Sequence, residues 1–352
     1  MRSRLNSRPA ARQVRILFLF LSIVPMFAGP SATWAIGSPR IPPLLVVSAS
    51  HVRPGEPLRI TVNAESYRAV LTNESGRKLA QAYFFKYPGT LNPSEINSIQ
   101  SKDNQKTNLD RQGNNFRIAL LAVPSTCPAG NFSIQAEDRS GVLIATTSLV
   151  IEKREFLKDL IQLDAGNTRL RTIIDPLKTA ESEQLMKILY SFDPSAIWSD
   201  EPFMAPLESQ RRTSFYGDRR IYAYADGSTD DSIHAGIDFG VPTGSIVLAS
   251  ARGRVRMARF RIVTGYSIVI EHLPGVFSLY YHLDRIDISE GDIVEAGTQI
   301  GVSGSTGLST GPHLHWELRV AGEAADPDAF IHSPLLRHDL LDKDTLLSRI
   351  GG

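Results

Sequence analysis

Residues 304–317, Gly-Ser-Thr-Gly-Leu-Ser-Thr-Gly-Pro-His-Leu-His-Trp-Glu, constrain this chain more than any other stretch. Gly304, Gly307, Gly311 and Pro312 mark a loop, and a short apolar run behind it carries His313 and His315. Residues two apart on a strand project from the same face, so a strand over Leu314–Val320 would set these two histidines side by side. Upstream lie His234-Ala235-Gly236-Ile237-Asp238 and Tyr280-Tyr281-His282-Leu283. The spacing of His234 and Asp238 would suit a helix. Gly236 lies between them, however, and Gly240 and Pro242 follow, so a strand with its adjoining turn is expected instead.

These blocks supply four histidines and, in Asp238, a carboxylate beside one of them. A hydrolytic zinc site takes three nitrogen or oxygen ligands and keeps one position for water. His234, Asp238 and His315 fit that count, and His313 would reach the water or the substrate. Each element is weak alone; their concentration in one region, which with its tail holds seven of the eight histidines, gives them weight. Gly301–Gly311 has the composition of a phosphate-cradling loop but no Gly-Lys-Ser/Thr ending, which argues against a nucleotide site. Its glycines are read as tight turns and as places where a peptide approaches the backbone. Tyr280 and Tyr281 fall on opposite faces of one strand, one for the core and one for a groove. His272 is read as a surface residue or an outer partner of the site. His51, His332 and His338 are read as surface histidines, and Arg219 and Arg220 as exposed charges.

A chain of 352 residues is long for one domain, so two are expected. Residues 1–35 carry five arginines and no acid, followed by the apolar run Ile16–Val24, Pro25 and small residues down to Ala35. This reads as a secretory signal peptide, with an uncleaved anchor as the other form. Without it the formal charge falls from +1 to −4, which leaves no electrostatic case for nucleic acid. No later segment is apolar and long enough to span a bilayer, so no stable membrane insertion is expected after cleavage. Cys127 is the only cysteine, which excludes an intrachain disulfide and a cysteine-based metal site.

The expected fold is mainly β. Residues 44–152 alternate with period two in short runs such as Leu58–Val62 and Phe132–Ala136, the pattern of a β-sandwich, with an immunoglobulin-like arrangement as one form. A polar stretch at 87–115 is a long loop or insertion. Residues 153–200 read as a linker of two short helices, the first through Phe156, Leu157, Leu160, Ile161 and Leu163. The second runs through Leu185, Ile188, Leu189 and Phe192 after an acidic first turn at Glu181 and Glu183. Residues 201–335 read as a compact antiparallel sheet with the site on its open face. Strands are expected at Ser245–Ala249, Gly253–Phe260, Ser267–His272, Val276–His282 and Leu314–Val320. The tail, 336–352, is expected to form a short helix.

His234–Phe239, Tyr280–Leu283 and Gly304–Glu317 resemble the three signature blocks of the lysostaphin/LytM-type zinc metallopeptidases. Further matches at Ser214–Arg219, Gly253–Val255 and Gly291–Gly297 extend the resemblance over about residues 203–330. It implies a zinc-dependent endopeptidase acting on the peptide stems and cross-links of bacterial peptidoglycan, and with the signal at 1–35 such an enzyme is expected in the periplasm or outside the cell. It implies His234, Asp238 and His315 as zinc ligands and His282 and His313 as catalytic histidines. All five positions match. Some members of the family lack ligands and act only by binding and activating another cell-wall hydrolase, which stands as the alternative.

Overall fold

The computed structural model describes residues 43–87, 117–331 and 335–336. The expected signal (1–35), the polar stretch 87–115 beyond Tyr87, the tail helix, His332 and His338 lie outside the described residues. No described helix is long and apolar enough to cross a membrane.

The chain is mainly β, as the alternating runs predict. Its N-terminal part forms two sheets. Leu45–Val47, Pro57–Val62 and Arg117–Ala122 make one of three strands. His51–Val52, Leu143–Ile151, Gly130–Glu137, Arg68–Asn73 and Lys78–Tyr83 make one of five. Period-two alternation sends Leu58, Ile60 and Val62 from the first and Leu71, Ile134 and Leu149 from the second into one core, which also takes in Cys127. Arg117–Ala122 is buried on both faces. Ala119 and Leu121 join that core, while Ile118, Leu120 and Ala122 join the core of the C-terminal sheet.

The segment after Glu152 departs from expectation. Residues 158–162 are not helical: Lys158–Gln162 is a strand, parallel to Arg219–Ala223 in a three-stranded sheet with Thr229–Ile233. A short apolar run does not distinguish helix from strand, and here the edge of Arg219–Ala223 decides. Leu157 and Leu160 stay exposed, while Leu163 packs beneath Tyr222 and Tyr224. The first helix is Ala165–Thr172, capped by Asp164, whose carboxylate accepts from the Asn167 amide at 2.7 Å. The second is Pro176–Leu189, capped by Asp175 with Pro176 in its first turn. It starts a turn before Glu181 and ends before Phe192.

The C-terminal domain is built on a ten-stranded sheet. Its main path runs Arg212–Ser214, Ile237–Phe239, Leu314–Val320, Val276–Ile286, Gly265–Leu273, Gly253–Arg261 and Ile293–Val294, and every pairing in it is antiparallel. All five expected strands are present within a few residues of their expected ends. The short ones at 212–214, 293–294, 299–303 and 323–325 carry too little alternation to be read beforehand. One face packs Ile268, Ile270, Tyr280, Trp316 and Leu318 into the main core. The other is not open along its length. Phe277, Leu279 and Val269 are covered by Leu185, Met186, Ile188 and Leu189 of the second helix, so the middle of this face is closed.

His272 is neither a surface residue nor a partner of that site. It is fully buried against the ring of Phe203, donates Nδ1–H to the Arg252 carbonyl (2.9 Å) and accepts at Nε2 from the Ser278 hydroxyl (2.7 Å). Burial pushes it down to about 4. A histidine held neutral in the fold and freer to protonate when unfolded contributes stability above its ordinary value of about 6.5, lost as pH falls towards 4. Urea unfolding of metal-free protein at pH 7 and pH 4.5 is expected to show a loss about 2–3 kcal/mol larger in the wild type than in His272→Gln.

Candidate metal centre

Asp238 and His315 are direct partners on neighbouring antiparallel strands, and Tyr281 is the partner of His315 on the next. Register alone therefore lays Asp238, His315 and Tyr281 in a row on one face. The Tyr281 ring stacks on the His315 imidazole with centroids 5.3 Å apart and planes 6° from parallel, while Tyr280 is buried in the core. His234 arrives from the end of Thr229–Ile233, its amide bonded to the Asp218 carbonyl at 2.9 Å. Between His234 and Asp238 the chain runs so close to the next strand that a Cβ on Gly236 would lie 2.2 Å from the Trp316 carbonyl oxygen.

His234 Nε2 lies 3.1 Å from Asp238 Oδ1 and 3.0 Å from His315 Nδ1, and His315 Nδ1 lies 2.9 Å from Asp238 Oδ1. All three residues are buried. The far side of each ring fixes its tautomer. The Phe215 carbonyl, 2.8 Å from His234 Nδ1, can only accept, so the proton sits there and Nε2 presents a lone pair. Glu317 Oε2, 3.3 Å from His315 Nε2, holds a proton on that nitrogen. With both rings neutral, two imidazole lone pairs and a carboxylate oxygen would thus converge with no hydrogen between them, an arrangement that calls for a cation.

Without a metal, a proton does that work. Against the pull of burial, the carboxylates of Asp238 and Glu317 raise His315 to about 9. Burial likewise opposes ionisation of Asp238, but the two imidazoles hold it well below the usual carboxylate range. His234 is lowered, by burial first.

His282 and His313 stand beside this cluster, their rings 4.7 Å apart. The residue after Tyr281 on a regular strand would face the core. His282 instead takes φ +61°, a left-handed backbone uncommon outside glycine, and joins Tyr281 in lining the site. Its amide donates to the Thr264 carbonyl at 2.9 Å and its Nδ1–H to the Thr306 carbonyl at 2.8 Å. The loops that hold it meet backbone to backbone at Gly307, where φ is +76° and a Cβ would lie 2.4 Å from the Gly265 nitrogen. Close approach at this glycine therefore serves loop packing. His313 donates Nδ1–H to the Gly311 carbonyl at 2.8 Å and turns Nε2 to within 3.9 Å of Asp238 Oδ1. In both rings the bond at Nδ1 turns Nε2 towards the site. Burial, then the neighbouring His313, pushes His282 down to about 3.

Sequence reasoning missed two side chains. Glu317 lies two residues beyond His315 on one strand, so the rule that pairs His313 with His315 also brings Glu317 to that face. Arg220 is not an exposed charge: its side chain is 13% exposed, and Nη2 lies 2.5 Å from Asp238 Oδ2. Alternation along Arg219–Ala223 turns Arg220 inward and leaves Arg219 over the Phe156 ring at 4.4 Å. A cavity of about 250 Å³ opens over the centre, with Ile161, Leu163, Tyr222 and Leu308 among its lining residues. The segment that supplies Ile161 and Leu163 is bonded to two elements of the cavity's rim. The Leu163 amide donates to the Ala223 carbonyl (2.9 Å), and Asn167 Nδ2 to the Ser309 carbonyl (3.2 Å).

A proton held on His315 must leave when a metal takes its place. Zinc titration of metal-free protein at pH 7.5 by calorimetry, in buffers of different ionisation enthalpy, is expected to show release of about one proton per zinc. No release would mean that His315 is already neutral.

Residues 232–327 match the model of peptidase family M23. Over 95 residues the chain is 43% identical to the DD-carboxypeptidase/endopeptidase Mpg of Neisseria meningitidis serogroup B, a match covering 27% of this chain and 22% of that one. Over 118 residues it is 44% identical to the peptidoglycan DD-endopeptidase ShyA of Vibrio cholerae, covering 33% and 27%. These matches thus span about a quarter of each relative's length. A crystal structure described as a putative peptidase M23 from Pseudomonas aeruginosa shares the fold, with a TM-score of 0.50 at 19% identity over 80% of this chain and 94% of that one. The stretch that holds all three converging donors and both neighbouring histidines is a peptidase family M23 domain.

Proposed function

We propose that this protein is a zinc-dependent endopeptidase that hydrolyses peptide cross-links of bacterial peptidoglycan. The observation that carries the reading is the donor set itself: three ligand atoms within 3.1 Å of one another, beside two histidines each held through Nδ1. His234 Nε2, Asp238 Oδ1 and His315 Nδ1 would hold the zinc. Zinc bound there supplies Lewis acidity that polarises a peptide carbonyl and makes water acidic enough to attack near neutral pH.

The protein's own groups do the rest. His282, neutral and tied at Nδ1 to the Thr306 carbonyl, accepts a hydrogen bond at Nε2 and orients the attacking water. His313, with 17% of its side chain exposed, takes the water proton on Nε2 and passes it to the departing amine. Its Nδ1–H bond to the Gly311 carbonyl keeps the ring aimed through both transfers. The substrate class comes from the relatives named as peptidoglycan DD-endopeptidases, and the D-alanyl–diamino-acid cross-link is the bond we assign. An activator without chemistry of its own would not need both the full donor set and two aimed imidazoles. We further read residues 1–35 as an export signal, 44–152 as an immunoglobulin-like β-sandwich, 153–200 as the connecting segment and 201–335 as the catalytic domain. This places the enzyme in the periplasm or outside the cell.

Digestion of purified peptidoglycan by residues 36–352, followed by mass spectrometry of the fragments, tests the reading. Zinc-loaded protein is expected to convert cross-linked dimers to monomers. Chelator treatment is expected to abolish this, and His313→Ala to slow it about 100-fold or more. Intact dimers after treatment with folded, zinc-bound protein would overturn the assignment.

A further inference from the structure

Asp238 divides its two oxygens between different tasks. Oδ1 faces His234 and His315, while Oδ2 accepts from Arg220 Nη2 at 2.5 Å. The same Nη2 lies 2.8 Å from Ser214 Oγ, and Ser214 Oγ lies 3.2 Å from Asp218 Oδ2. Arg220 Nε is buried without a hydrogen-bond partner, and Asp238 and Ser214 are bonded through Nη2. Strand Arg219–Ala223 holds Arg220, and its hairpin partner Thr229–Ile233 leads directly into His234. One hairpin therefore delivers a donor of the metal site and the cation that ties down a second donor.

We propose that Arg220 is a positioning residue that restricts Asp238 to one-oxygen ligation and so keeps a coordination position clear for water and substrate. The proposal rests on the zinc reading above. A carboxylate beside a divalent cation can bind through one oxygen or both. A catalytic zinc site needs an open position, and a second oxygen of the same carboxylate is one group able to fill it. The guanidinium competes for that oxygen with a charge-assisted hydrogen bond, the stronger kind. Lysine would keep the charge but give up the planar, directed N–H geometry. Loss of Arg220 should therefore change the coordination of the metal before it changes the fold.

Cobalt substituted for zinc reports coordination number through the intensity of its visible bands. Wild-type, Arg220→Met, Arg220→Lys and Ser214→Ala proteins would be loaded with Co²⁺ and compared by absorption, thermal unfolding and cross-link cleavage. The wild type is expected to give the intense bands of low coordination. Arg220→Met should lose most of that intensity and fall at least about tenfold in kcat with little change in KM. Arg220→Lys should recover part of both, and Ser214→Ala should shift both slightly in the same direction. An unchanged spectrum and kcat in folded Arg220→Met would overturn the proposal. If that variant does not fold, wild-type spectra and kcat in both Arg220→Lys and Ser214→Ala would do so. Failure of the wild type to bind Co²⁺ or Zn²⁺ would instead overturn the zinc reading.

Discussion

Three acceptor atoms face one another between His234, Asp238 and His315, each aimed by a bond made on the far side of its own side chain. The Phe215 carbonyl sets the tautomer of His234, Glu317 sets that of His315, and Arg220 holds the free oxygen of Asp238. Such a cluster is unfavourable in isolation, because desolvated lone pairs and a buried carboxylate repel and lack partners. The surrounding sheet over-determines it. Asp238 and His315 face each other by strand register, and Tyr281 stacks on the imidazole from the next strand. The site is therefore built to accept a positive charge, which a proton on His315 provides until a metal does.

The outer bonds carry their own supports. Glu317 is buried beside Arg319, so the carboxylate that orients His315 is itself compensated by a guanidinium. Arg220 plays the matching part for Asp238. The two arginines lie on different elements, Arg319 on the central strand Leu314–Val320 and Arg220 on a peripheral hairpin. Rigid sheet fixes one side of the donor set, while a smaller three-stranded sheet fixes the other. The left-handed residue His282 and the loop contact at Gly307 extend the same logic, since a strained backbone persists only where packing holds it.

Much of this was legible in the sequence because Asp238, His282 and His315 sit on strands and His234 and His313 directly adjoin them, where a period of two gives direction. His313 and His315 could be placed on one face without coordinates, and Gly236 argued correctly against a helix through His234 and Asp238. Glu317 obeyed the same rule but stood outside the histidine count. Arg220 carried no such signal, being 18 residues from Asp238 in sequence and looking like one of two ordinary surface arginines. The misread segment at 156–163 failed for a physical reason. Five apolar residues in eight fit both periods, and only the presence of a free strand edge at Arg219–Ala223 settles which is formed. His272 was misjudged because a polar residue at the end of a predicted strand looks exposed until the loops over it are known.

That misread segment matters most for the shape of the site. The strand Lys158–Gln162 and the helix Ala165–Thr172 bring Ile161, Leu163 and Arg171 to the cavity, and Arg171 lies over the Tyr222 ring at 4.0 Å. The helix Pro176–Leu189 lies on the sheet face beyond Tyr281, with Glu181 accepting from the Ile262 amide at 2.9 Å. Leu185 and Leu189 thus cover the sheet face next to Tyr281 and His315. Ser309 and Thr310, from the loop preceding His313, border the cavity as well. Elements that the sequence presents as a connection between domains thus line the cavity over His234, Asp238 and His315.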